Sequence, residues 1–177
     1  MISSSEQLRS TVISIANDLD AAVAGNLYVE DDEFFVIYDM DEWKHEKYME
    51  MVEKFKKEHP EKDGFDKDEY ETYEEFMEDE IGTEDDIDEP EQASIYDYVE
   101  KQSLGDTRFE IDSSGALCGG RILFCYGGPT IWVHDDRVCG YWGNDSWDRS
   151  LDSDTASALF SMMEEELDRT LEIKFGR

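Results

Sequence analysis

Residues 66–91 hold fifteen aspartates and glutamates against one lysine, a net charge of −14 over 26 positions. A run of this kind does not go into a core, because removing each carboxylate from water without a partner costs far more than its neighbours return. The chain must therefore build its interior from what flanks the run. The flanks have the means. Hydrophobic residues make up 39% and aromatic residues 12% of the 177 positions. That is too much apolar surface for a disordered acidic tail, and the length suits one domain carrying an insertion.

Over the whole chain 47 acidic residues face 16 basic ones, a formal charge of −31. Self-repulsion at that density opposes compactness and weakens as salt screens it. Nine of the basic residues are lysines, which argues against simple adaptation to salt. Direct binding of nucleic acid is excluded as an expectation, since phosphates are neutralised by Lys and Arg. An anionic membrane surface is disfavoured on the same ground. The longest apolar runs, Phe34 to Tyr38 and Ile122 to Tyr126, are too short to span a bilayer. The opening MISSSEQLRS lacks a basic stretch followed by an apolar one, so no signal peptide is expected and the cytoplasm is the expected location.

Hydrophobic periodicity predicts a helix over 4–24. Leu8, Val12, Ile15, Leu19 and Ala22 fall on one face, Ser3 with Glu6 or Ser4 with Gln7 can form a capping box, and Gly25 is a stop. The stripe suits a core, or a helix–helix contact with a second copy. Leu27–Val29 and Phe34–Tyr38 read as strands joined by an acidic turn at 30–33, the second apolar throughout and so expected to be buried. A helix capped by Asp41 and ending before Pro60 carries Tyr48, Met51, Val52 and Phe55 on one side. A second is expected over 66–81 with Tyr70, Tyr73, Met77 and Ile81 on one side, a loop over 84–91, and a third helix near 92–102 with Ile95, Tyr98 and Val99 on one face. Four strands follow, at 108–112, 120–126, 130–134 and 137–142, linked by short turns as an antiparallel meander. Asp152 or Ser153 opens a closing helix.

The expected fold is thus α+β. An antiparallel sheet, from the meander at 107–142 plus strands near 27–38, packs against N- and C-terminal helices, and an acidic helical insertion spans 41–103 of a single domain over 1–177.

The acidic run is also the leading candidate for a contact surface. As a continuous helix it would span about 39 Å at about 1.5 Å per residue, roughly one net charge per 2.8 Å. Duplex DNA carries one per about 1.7 Å, or about 3.4 Å along one strand. Carboxylates at this density imitate a phosphate backbone and would steer the chain onto a basic, nucleic-acid-binding protein surface. The expected contact residues are Asp68, Glu69, Glu71, Glu74, Glu75, Glu78, Asp79, Glu80, Glu84, Asp85 and Asp86, with Tyr70 and Tyr73 as aromatic anchors.

Other chemistries have less behind them. Asp85-Asp86-Ile87-Asp88 and Asp152-Ser153-Asp154 lack the glycine and closing glutamate of a calcium loop, so no metal is expected. No GxGxxG or GxxxxGK[ST] motif supports a nucleotide, and no cofactor is expected. Cys118, Cys125 and Cys139 form no CxxC pair and read as reduced core residues. His134 with Cys139 is the one nucleophile–base combination worth testing; otherwise no catalytic residue, and no enzyme, is expected.

The segment GRILFCYGGPTIWVHDDRVCGYWGNDSW at 120–147 holds three of the four tryptophans and five glycines. Its GGP turn, I-W-V strand, G-Y-W-G and acidic closing helix resemble the C-terminal module of small uncharacterised proteins of phages and mobile elements, over roughly 108–170. Small size with high acidity also resembles the anti-restriction and anti-CRISPR inhibitors. That resemblance implies a DNA mimic that blocks a host nuclease by occupying its nucleic-acid groove. The alternative is a non-catalytic binding or scaffold module that uses the Trp-rich sheet, with acidity serving solubility.

Overall fold

The computed structural model describes residues 3–60 and 72–175. It is mixed α+β, and it divides into two compact units, one of residues 1–36 with 92–177 and one of residues 37–91.

In the first unit, helix α1 (Ser4–Ala24) starts at the Ser3–Glu6 capping box. Ser3 Oγ accepts from the Glu6 amide at 3.2 Å, and the Glu6 carboxylate accepts from the Ser3 amide at 2.9 Å. It ends where Gly25 takes φ +77, letting the Asn26 amide reach back to the Ala21 carbonyl at 2.8 Å. Leu8, Val12, Ala16 and Leu19 are its fully buried stripe, and Ile15, expected among them, sits at the margin. Strands β1 (Leu27–Glu30) and β2 (Glu33–Val36) form a hairpin whose Asp31-Asp32 turn has positive φ at both residues. The sequence suggested a buried strand running to Tyr38. The strand stops at Val36, its side chains are only half buried, and Tyr38 is 81% exposed.

The two-residue strand β3 (Glu91–Gln92) pairs with β1, so the hairpin belongs to a three-stranded sheet of its own, order β2-β1-β3. Helix α4 (Ile95–Gln102) follows, capped by Ser94, which forms a box with Asp97. Sequence placed this helix in the insertion. It packs instead in the first unit, because its Ile95, Tyr98 and Val99 find the main core there. Tyr98 meets Phe34 edge-on at 5.1 Å.

The second sheet is a five-stranded meander: β4 (Thr107–Ile111), β5 (Leu117–Cys125), β6 (Thr130–His134), β7 (Arg137–Trp142) and β8 (Asp145–Ser150). The last strand was not legible in the sequence. DSWDRS has no alternation of apolar residues, and as an edge strand with every residue exposed it needs none. Helix α5 (Ser153–Phe175) closes the unit, burying Leu159, Met163 and Leu167.

Two glycines within strands let helices dock on this sheet. A Cβ at Gly140 would lie 2.6 Å from Val12 Cγ2 and 2.7 Å from Leu8 Cδ1, so α1 rests directly on the β7 backbone. A Cβ at Gly120 would lie 2.6 Å from the Met163 sulfur of α5. The strand glycines are therefore close-approach sites between layers rather than breaks.

The second unit is a helical pair. Helix α2 (Met40–Glu58) is capped by Asp39, whose carboxylate accepts from the Asp41 and Glu42 amides at 3.1 Å each; Asp41 was the cap expected from sequence. Helix α3 (Tyr73–Ile81) begins at Thr72, whose hydroxyl accepts from the Glu75 amide at 3.1 Å. The helix expected over 66–81 therefore has a start at Tyr73, and residues 61–71 lie outside the described ones. Val52 and Phe55 of α2 and Met77 of α3 form a small core, flanked by Tyr48, Tyr73, Phe76 and Ile81.

Candidate functional site

The carboxylates of α3 are sorted by that small core. At about 100° per residue, Glu74, Glu75, Glu78 and Asp79 fall in an arc of about 140° opposite the inward side that carries Tyr73, Phe76 and Met77. All four, with Glu80 at the helix end, are exposed. The nine residues span about 13.5 Å, so five carboxylates give about one charge per 2.7 Å. This is the spacing that the sequence implied for the longer run.

The dipole and neighbouring charges of α3 favour some of these carboxylates and oppose others. Glu74 with Glu78 is a like-charged i,i+4 pair, which costs about 0.2–0.5 kcal/mol, whereas Glu75 and Asp79 each engage a further partner. Asp79 and Glu80 lie at the negative end of the helix dipole, and no basic residue occupies the last turn. Only Glu74 and Glu75, in the first turn, are placed where the dipole favours them.

Beyond Gly82, at φ +76, the chain makes a 3-10 turn at Glu84–Asp86. Here the expected contact residues divide by role. Asp86 accepts from the Thr83 amide and hydroxyl, both at 2.8 Å, and those bonds hold its carboxyl below its ordinary range. Glu84 lies 3.2 Å from His45 Nδ1. Asp85 is exposed. Lys44 pairs with Glu89 at 2.8 Å, and Glu89, Asp85 and Asp41 together raise the lysine's pKa. Tyr73, which the sequence placed on one side with Met77 and Ile81 and also offered as a contact anchor, packs inward and is not available as an anchor. Its ring lies beside Phe55 and Phe76, and its hydroxyl donates to the His59 carbonyl. Asp68, Glu69, Tyr70 and Glu71 lie outside the described residues.

The tryptophans of the meander are each engaged. Trp132, on the sheet face away from α1, lies under two guanidinium groups, with Arg108 and Arg121 Cζ at 4.9 and 4.7 Å from the ring centroid. Trp142 packs at the core margin, and Trp147 lies under Arg9 on the helix side. Gly127 has φ +126 in the GGP turn, and Gly128–Pro129 is cis.

The candidate pair His134 and Cys139 does not assemble. β6 and β7 place Cys139 opposite Trp132, and no hydrogen bond joins it to the imidazole. Burial, reinforced by Asp148, raises the Cys139 thiol pKa, the opposite of what activates a nucleophile. Burial and the nearby Arg121 lower the pKa of His134. Of the three cysteines expected in the core only Cys139 is buried; Cys125 is half buried and Cys118 is exposed. Among the described residues no three His, Cys, Asp or Glu side chains gather as a metal requires, and no helix is long and apolar enough to cross a membrane.

Comparison with family models, with curated proteins and with solved structures finds no match to this chain.

Proposed function

We propose that this protein is a stoichiometric anti-defence inhibitor of phage or mobile-element origin, acting in the cytoplasm. It would occupy the basic nucleic-acid groove of a host nuclease or CRISPR complex, presenting carboxylates where phosphates would lie. The observation that carries this reading is α3, whose acidic arc is held outward by a dedicated small core. Carboxylates gathered on one exposed face, at a spacing close to that of backbone phosphates, suit a basic partner. Electrostatic attraction of this kind raises the association rate and fades with salt.

The test is affinity capture from a host lysate with this protein as bait, at low and high salt, followed by identification of the prey and displacement by excess duplex DNA or RNA. A nucleic-acid-binding prey that leaves with rising salt, is displaced by nucleic acid and escapes the Glu74→Gln/Glu75→Gln/Glu78→Gln/Asp79→Asn variant is the expected result. Capture that survives this variant unchanged sinks the assignment.

A second reading draws on the meander. Its outer face carries Tyr141, 51% exposed, on the same side as Trp132, which suits a protein-binding sheet. Under that reading Trp132→Ala removes the prey while the α3 substitutions do not.

A further inference from the structure

The first unit contains a cleft of about 350 Å³ between α4, α5 and the start of the meander. Its floor is apolar: Val99 and Ile122 are buried, Met163 is almost wholly enclosed, and Met162 is half exposed. Its rim is charged. Glu100 comes from α4 and Glu166 from α5, with Tyr96 beside them and Glu165 accepting from the Tyr96 hydroxyl at 3.2 Å. Among the described residues the one cation lining the rim is Arg169, whose guanidinium lies 2.9 Å from Glu166. This pair is an exposed i,i+3 contact within α5, and it leaves negative charge over at Glu100 and Glu165.

We propose that this cleft receives an arginine side chain of a basic protein partner. The aliphatic stem lies on Met162 and Met163, whose unbranched thioethers adapt to an incoming chain. The planar guanidinium reaches Glu100 and Glu166 and lies against the Tyr96 ring, a combination that a compact ammonium satisfies less well. Three carboxylates against one guanidinium set the sign of the occupant, and the apolar floor asks for a long stem rather than a bare ion. Burial, with Glu165 as the next cause, raises the Tyr96 phenol's pKa, in keeping with a negative local field. The inference rests on the reading that the partner is basic. It adds a second contact, on a different unit from α3, that selects a side chain rather than a charge density.

The experiment avoids the unidentified partner. Protein labelled at its methionine methyls is titrated with the peptide Ac-Gly-Arg-Gly-NH2, and separately with its citrulline and lysine counterparts. Saturable shifts confined to Met162 and Met163 are expected with arginine, at least tenfold weaker with citrulline and severalfold weaker with lysine. Glu100→Gln/Glu166→Gln should weaken the arginine response at least fivefold, and Tyr96→Leu should weaken it in a cleft that keeps both carboxylates. The α3 variant should leave it unchanged. Equal responses to arginine and citrulline, or non-saturating shifts spread over all methyls, overturn the proposal. Failure here leaves the α3-dependent capture standing, whereas loss of α3 dependence in the capture leaves this cleft standing, so the two can fail separately.

Discussion

The Tyr98 hydroxyl donates to the Asp18 carboxylate at 2.9 Å, tying α4 to α1 across 80 residues of sequence. Each partner bears a cost. Burial, then the adjacent carboxylate, pushes the phenol well above its ordinary range. Burial raises Asp18 from its usual 3.8, against the pull of the hydrogen bond.

Because the folded pKa of Asp18 is raised, the folded state binds its proton more readily than the unfolded chain does. The associated stability is present below pH 3.8 and lost as pH rises through the folded value. Asp18→Asn keeps an acceptor for Tyr98 and removes the buried charge. It should raise the melting temperature at pH 7, with the gain shrinking toward pH 3; thermal melts across that range check it.

Gly140→Ala should destabilise the first unit. Its new methyl would sit 2.6, 2.7 and 2.9 Å from Val12, Leu8 and Ile131, all in the core. Overpacking of this kind costs about 1–3 kcal/mol. Urea unfolding should show a lower midpoint with an unchanged slope.

Met77→Ala should loosen the second unit alone. Met77 is the one buried side chain of α3, and the core it shares with Val52 and Phe55 is small. Truncating a buried methionine costs about 2–5 kcal/mol. Hydrogen exchange should show α3 amides losing protection while those of α1 and α5 keep theirs.

With a net charge of −31, the fold should gain stability from salt. Raising NaCl from about 0.01 M to about 1 M shortens the Debye length from about 30 Å to about 3 Å. The melting temperature should rise by at least about 3 °C, the shift that roughly 1 kcal/mol produces in a chain of this size. The same salt should release the captured partner, so stability and binding should move in opposite directions.

His134 gives a pH dependence of the other sign. Its folded pKa lies below 6.5, with burial as the main cause, Arg121 and Arg137 adding to it, and Asp136 and Asp135 opposing it. The unfolded chain therefore takes up a proton first as pH falls. Stability present above 6.5 should be lost as pH drops through the folded value. Denaturation between pH 8 and 5 should show a decline that His134→Gln reduces.

Local signals in the chain were enough to determine much of this protein. A capping box at Ser3–Glu6 or Ser4–Gln7, most of the stripe of α1, the Gly25 stop, the acidic hairpin turn and three of the four expected strand starts in the meander follow from hydrogen-bonding capacity and periodicity that act within a few residues. So did the acidic character of α3, because charge is written in composition. Only the tertiary structure decided that Gly120 and Gly140 are helix seats, since a missing Cβ has meaning only beside the atom that would strike it. It alone moved α4 into the main core and opened a cleft over Met162 and Met163. Each of these depends on which apolar stripe meets which surface, a choice made by packing between elements far apart in the chain. The fifth strand was hidden for a related reason: at an exposed sheet edge, backbone pairing with β7 suffices, and the side chains need carry no pattern.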